Sequence, residues 1–170
     1  RAALELAESF VYLSQAQAHL DKFDEVDFCI LLEEAMDDNL VKANERNIEL
    51  VLSTSPDQAL CHADPVLLRR AISNVLNNAI KFAPAGSHID CAIEAHGSVW
   101  HLSIHDDGPG IDKDKQARLF QPFERLHGQS HPQIKGMGLG LVFVQTVLHK
   151  HAGQVLIDSD QGMGCTFTFV

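Results

Sequence analysis

Apolar residues over positions 1 to 22 (RAALELAESFVYLSQAQAHLDK) place Leu4, Ala7, Val11, Leu13 or Ser14, and Ala18 near one helical face. That spacing, in a stretch rich in Ala, Leu and Gln, predicts an amphipathic helix. FDEVDF follows as a break. CILLEEAMDDNLVKANERN is then a second predicted helix, with Ile30, Leu31, Ala35, Leu40 and Ala43 as its apolar positions. IELVLST alternates as a short strand and closes at the turn SPDQ. Asp64 before Pro65 suits an N-cap and first helical position, opening a helix over PVLLRRAISNVLNNAIKFA that the breaker Ala83-Pro84-Ala85-Gly86 ends. Two alternating strands, IDCAIEAHG and SVWHLSIHD, turn at Gly97-Ser98. After DGPGI come a short helix, KDKQARLF, and a polar stretch from about Glu124 to Lys135 that predicts a flexible lid. A glycine-flanked turn leads into the helix LGLVFVQTVLHKHA, then the strand GQVLIDSD, the turn QGMG and a last strand, CTFTFV. Strands and helices segregate so as to predict a mixed sheet with helices on one face.

Composition narrows the function classes. The 170 residues carry 23 acidic against 13 basic side chains, a net charge of −10, which leaves no basic surplus to neutralise nucleic-acid phosphates. No stretch approaches the about 20 consecutive apolar residues of a membrane span, and RAALELAESF has acidic residues where a signal peptide has basic ones. The expectation is a soluble, cytoplasmic domain whose parent is free to be anchored in a membrane. The four cysteines, Cys29, Cys61, Cys91 and Cys165, form no C-x-x-C pair and read as reduced thiols. His149 and His151 stand two apart on a predicted helix and point away from each other, and His62, His88, His96, His101 and His105 fall singly, so structural or surface roles are expected.

Three constellations carry chemistry. On the helix from Pro65, Asn74 and Asn78 are four apart and stack on one face, with Lys81 three further on, so one surface offers two amide oxygens and a cation. Such oxygens suit Mg²⁺ that keeps substrate phosphates in its shell. Asp106-Asp107-Gly108-Pro109-Gly110-Ile111 follows a strand directly. A carboxylate there can accept from the exocyclic amine of adenine, and the glycines permit close backbone approach. Gly136-Met137-Gly138-Leu139-Gly140-Leu141 runs into a helix N-terminus, where backbone N–H groups attract phosphate oxygens. It is not a Rossmann fingerprint, since Leu141 stands where the third glycine belongs, and the chain has no Gly-Lys-Ser/Thr of a Walker loop. Between the glycine runs, Phe120-Gln121-Pro122-Phe123-Glu124-Arg125 brings a guanidinium to the lid's edge.

In that order, NVLNNAIKFA, DDGPGI, LFQPFERL, GMGLGLVFVQ and QGMGCTF resemble the N box, first glycine box, F box, second glycine box and trailing glycine turn of the GHKL ATPases, in their bacterial histidine kinase branch. The resemblance covers roughly residues 26 to 170. It implies a two-layer α/β sandwich of the Bergerat type, a mixed sheet backed by helices with an N-terminal helical appendage, and ATP held between the Asn helix and the lid. By the same resemblance Asn78 would bind Mg²⁺, and Asn74 and Lys81 would hold phosphates. Asp106 would contact adenine in a pocket shaped by Phe82, Gly108, Gly110 and Ile111. Gly136, Gly138, Leu139, Gly140 and Leu141 would let the lid close over the phosphates, and Arg125 would approach the γ-phosphate. Phe82 departs from the Tyr common in such kinases, which removes a hydroxyl contact and keeps the packing. The second departure is the lid, HGQSHPQIK, with His127, His131 and the rigid Pro132 that follows it.

Kinases of this kind phosphorylate a histidine on a separate helical hairpin. His19 is followed by Leu20 and lies too near the Asn helix, so residues 1 to 22 are expected to be the C-terminal part of the hairpin's second helix, with the acceptor histidine outside this chain. The partners implied are that hairpin, a response regulator and a second copy of the full-length kinase. The alternatives are a GHKL-type ATPase, which needs a carboxylate on the Asn helix that LLRRAISNVLNN does not offer, a non-catalytic nucleotide-binding module, and an anti-sigma-type serine kinase.

Overall fold

The structure is a computed structural model that describes Val11, Ser14, residues 23–122 and residues 138–170. Of the first predicted helix only Val11 and Ser14 are described, both helical and exposed. The elements run β1 (Asp24–Asp27), α1 (Phe28–Asn44), β2 (Glu49–Thr54), β3 (Leu60–Ala63), α2 (Pro65–Phe82), β4 (His88–His96), β5 (Val99–Asp106), α3 (Lys113–Gln116), α4 (Gly140–Lys150), β6 (Val155–Ser159) and β7 (Cys165–Phe169). Five strands form one sheet in the order β2-β4-β5-β7-β6, parallel only between β2 and β4. The mixed sheet expected from the segregation of strands and helices is therefore present.

Period-two alternation sorts the sheet's faces. Ile89, Cys91 and Ile93 of β4, Leu102 and Ile104 of β5, and Cys165, Phe167 and Phe169 of β7 are all buried. They share one core with Leu32 and Ala35 of α1, Ile72, Val75, Leu76 and Ile80 of α2, and Val144 and Val147 of α4. The alternate positions Ala92, Ser103, His105, Thr166 and Thr168 are half-buried on the other face. The four cysteines are free thiols, and burial pushes those of Cys91 and Cys165 up to about 12.

Two features depart from the pattern-based expectation. FDEVDF is not only a break, since Asp24–Asp27 pairs antiparallel with Leu60–Ala63 as a two-stranded sheet. Each strand has four residues, one carries three acids, and the partners lie more than thirty residues apart, so neither shows a period of its own. Asp27 closes this pair and caps α1, accepting from the N–H groups of Cys29 and Ala59 at 3.0 Å each. The helix also turns an inward face that is only partly the expected one, keeping Leu31, Ala35 and Ala43 and leaving out Ile30 and Leu40. Ile30 and Leu40 are 54% and 46% exposed, while Leu31, Leu32, Ala35, Asn39 and Ala43 are buried. Residues 28 to 32 are apolar all round the first turn, so spacing alone leaves the phase open. Asn39 decides it, because its Nδ2 donates to Ala35 C=O at 2.8 Å and to Ser73 Oγ of α2 at 3.1 Å.

The Asn helix matches the expectation closely. Asp64 accepts from Val66 and Leu67 N–H at 3.0 Å each, and Pro65 opens the helix. His151, at the end of α4, has a structural role. Its Nε2 accepts from Asp64 N–H at 2.9 Å, its Nδ1 lies 2.7 Å from Val147 C=O, and its ring stacks on Phe23 at 4.6 Å. The acceptor at Nε2 requires the proton on Nδ1. His151→Ala leaves the Asp64 amide without this acceptor, and urea unfolding is expected to show a loss of about 1–3 kcal/mol.

Candidate functional site

Asp106 ends β5 on the inward phase set by Leu102 and Ile104, between Ile89 and Cys165 on the flanking strands. It is 4% exposed. Oδ1 accepts from Gly108 N–H at 2.8 Å, and among the described residues nothing donates to its other oxygen. Burial pushes the carboxyl up to about 6; the Gly108 bond and the nearby His105 oppose the rise, and Asp107 adds to it. Asp107 is on the opposite side of the chain. It is exposed, 3.5 Å from His105 Nε2 and 3.9 Å from His88 Nδ1. Only the first of the two adjacent aspartates therefore belongs to the interior.

The loop after β5 is held against the turn between β6 and β7. Gly162 N–H donates to Pro109 C=O at 2.7 Å, and Ile111 N–H donates to Ser159 Oγ at 2.9 Å. Gly108, Gly110 and Ile111 are buried. On its other side the loop meets the end of α2, where the Phe82 carbonyl lies so close to Gly108 that an added Cβ would stand 3.2 Å from its oxygen. Phe82 and Lys81 are thus beside the loop, both half-buried.

The second glycine run reaches the same region. Gly140 opens α4 beside Asn74, whose Oδ1 would be 3.4 Å from a Cβ at that position. Gly138 adopts φ +71, Leu139 is buried, and Leu141 packs partly against the core, so these leucines present backbone rather than side chains to a ligand. Asn74 and Asn78 lie one turn apart on a half-buried face of α2, next to its apolar stripe. The structure therefore brings Asn74, Asn78, Lys81, Phe82, the 106–111 loop and the start of α4 to one side of the helical layer. Arg125, Gly136, the lid and its His127, His131 and Pro132 lie outside the described residues. Ser159 and Gln116 escaped sequence reasoning because a serine closing an edge strand and a glutamine in a polar helix carry no motif. The predicted helix over 113–120 is helical only through Gln116, and 117–120 form turns.

The model of the histidine kinase-, DNA gyrase B- and HSP90-like ATPase family matches residues 63–170. The chain belongs to that family. Within it the chain is a histidine kinase ATPase domain, and ATP is the nucleotide such a domain takes. It is 34% identical over 157 residues to the adaptive-response sensory kinase SasA of Synechocystis sp., covering 92% of this chain and 40% of that protein. It is 32% identical over 154 residues to the sensor-like histidine kinase SenX3 of Mycolicibacterium smegmatis, covering 91% and 40%. Among solved structures, full-length ShkA in complex with AMPPNP superposes with a TM-score of 0.84 at 27% identity, covering 98% of this chain and 35% of that one. The mycobacterial sensor histidine kinase MprB gives 0.74 at 26%, covering 86% and 95%. The chain spans about 40% of the length of these two curated relatives. No described helix is long and apolar enough to cross a membrane.

Proposed function

We propose that this domain holds Mg·ATP against α2, the 106–111 loop and the start of α4, and passes the γ-phosphoryl group to a histidine on a helical hairpin. Residues 1 to 22 would be the tail of that hairpin and residues 26 to 170 the catalytic domain. The full-length protein would work as a dimeric two-component kinase with a response regulator, this domain lying on the cytoplasmic side whether or not the parent is anchored in the inner membrane. The observation that supports the reading best is Asp106, a buried carboxylate with one oxygen left for a donor at a strand end beside the Asn helix. An adenine amine can satisfy that oxygen and a guanine carbonyl cannot.

Residue by residue, Asp106 would select the base, and Gly108, Gly110, Ile111 and Phe82 would enclose it. Asn74 and Lys81 would bind phosphate oxygens, and the α4 N-terminus from Gly138 to Leu141 would add backbone N–H groups. Arg125 and Gly136 would act from the lid. The amide oxygen of Asn78 is a hard, neutral donor one turn beyond Asn74, which fits a cation that keeps phosphates in its shell. Magnesium bound there would supply charge neutralisation at the phosphates. As the bond from γ-phosphorus to the bridging oxygen breaks, a bond to the histidine nitrogen forms and ADP leaves. The domain's part is to position and stabilise charge, with no general base of its own. A hydrolytic cycle is the less favoured reading, because α2 carries no carboxylate to activate water.

Calorimetric titration with a non-hydrolysed ATP analogue, with and without Mg²⁺, tests the site. The expected result is ATP preferred over GTP and tightened by Mg²⁺. Asn78→Ala should abolish most of the Mg²⁺ enhancement, about tenfold or more in Kd, and leave metal-free binding nearly intact. Equal Mg²⁺ dependence in both proteins would remove Asn78 from the metal site. Absence of phosphate transfer to a cognate hairpin added in trans, with ATP binding intact, would favour the non-catalytic module.

A further inference from the structure

Ile111 has both polar groups of its peptide held by side chains rather than by a sheet ladder. Its N–H donates to Ser159 Oγ at 2.9 Å, and its C=O accepts from Gln116 Nε2 at 3.0 Å. The Ser159 hydroxyl, in a residue only 6% exposed, spends its own proton on Gly164 C=O at 2.6 Å. The second proton of the Gln116 amide goes to Ser159 C=O at 2.8 Å. Gly164 leads directly into Cys165, which stands opposite Asp106 across the β5–β7 ladder. The contacts thus form a closed circuit from Asp106 along the loop to Ile111, across to Ser159, on to Gly164 and back to Asp106.

We infer that Ser159 and Gln116 are positioning residues that set the base selectivity of the nucleotide pocket, by holding the Gly108–Ile111 loop at a fixed place relative to the Asp106 carboxylate. This rests on the proposal that Asp106 meets the adenine amine. A hydrogen bond weakens steeply with distance and angle, so one bond discriminates between two bases only if the base cannot slide. Among the described residues the loop's remaining hydrogen bonds are few, Gly108 N–H spending its own on Asp106 Oδ1 within the same strand end. Pro109 has no N–H, and the other cross-link from residues 108–111 to the β6–β7 turn is the bond from Gly162 N–H to Pro109 C=O. Phosphate contacts, by contrast, are the same for ATP and GTP. Loosening the loop should therefore lower the ratio of the two affinities rather than both affinities together.

The test is the ratio of ATP-analogue to GTP-analogue Kd, measured by calorimetry on the 170-residue chain and on Ser159→Ala, Ser159→Thr and Gln116→Ala. The alanine variants are expected to lower the preference for adenine about three- to tenfold, the effect of one neutral hydrogen bond, and Ser159→Thr to restore it to within about twofold. If Ser159→Ala does not fold, Gln116→Ala, on a short and largely exposed helix, carries the test. Variants that keep the wild-type ratio, or lose ATP and GTP equally, would overturn the assignment while leaving the nucleotide site standing. A wild-type chain with no preference for adenine would overturn the Asp106 reading and this inference with it.

Discussion

Asp106→Asn is expected to make the nucleotide-free domain more stable above neutral pH while removing most of its affinity for ATP. The carboxyl rises from its ordinary value of 3.8 to about 6 on folding, chiefly through burial. Between those values the folded state binds the proton more tightly than the unfolded chain does. The stability due to that proton is fully present below pH 3.8 and is lost as pH rises through about 6. A shift of this size corresponds to about 3 kcal/mol at 1.36 kcal/mol per pH unit. Asparagine never ionises and so escapes the cost. Urea unfolding at pH 8 should show the variant ahead by about 1–3 kcal/mol, with the two curves converging near pH 4. Parallel pH profiles would refute the buried-charge account. In the complex, an amide NH₂ cannot accept from the adenine amine, and loss of a hydrogen bond to a charged group should weaken binding about 10- to 100-fold. Wild-type affinity should climb from pH 5 to 7 as Asp106 ionises, under the opposing fields of His105 and Asp107, and the variant should lack that component of the rise.

The gain in stability and the loss of binding have one cause. A carboxylate buried beside Ile89 and Cys165 costs the empty domain, and a donor on its second oxygen offsets part of that cost. Much of this was legible in the chain. Leu102, Ile104 and Asp106 share one phase of a strand, so the alternation that predicted β5 also marks which of the two aspartates points inward. Asp64-Pro65 marked the start of the Asn helix to the residue, and spacing of four placed Asn74 and Asn78 together. What was not legible has a common physical origin in pairing between distant segments. The β1–β3 pair, the inward phase of α1 set by Asn39 and Ser73, and the Ser159–Gln116 clamp each depend on a partner more than thirty residues away. A local period carries no trace of such a partner, and a serine or glutamine in a polar stretch has no other signature.

Gly110→Ala is expected to damage the domain far more than Gly97→Ala, although the two glycines share nearly the same backbone conformation, at φ +68 and +65. Gly97 occupies the tight turn between β4 and β5, and a Cβ added there meets nothing within 4 Å. Its substitution carries only the left-handed penalty of an L-residue, about 1–2 kcal/mol. At Gly110 the same methyl would collide with the Asp160 carbonyl, with that residue's carbonyl carbon at 2.8 Å and Gly162 N at 3.1 Å. These are backbone atoms and cannot rotate aside as a flexible side chain would. Relief requires the loop to part from the β6–β7 turn, which stretches the bonds from Gly162 to Pro109 and from Ile111 to Ser159. Adding two weakened hydrogen bonds, of which the one from Ile111 to Ser159 is buried, to the backbone penalty gives a loss of about 2–5 kcal/mol. Against a total of about 5–15 kcal/mol for an ordinary domain, that removes a large share of the stability. Urea unfolding of both variants decides the matter. Losses of equal size would mean that the loop and the turn are not locked together, and the rigid adenine pocket built on that lock would lose its basis.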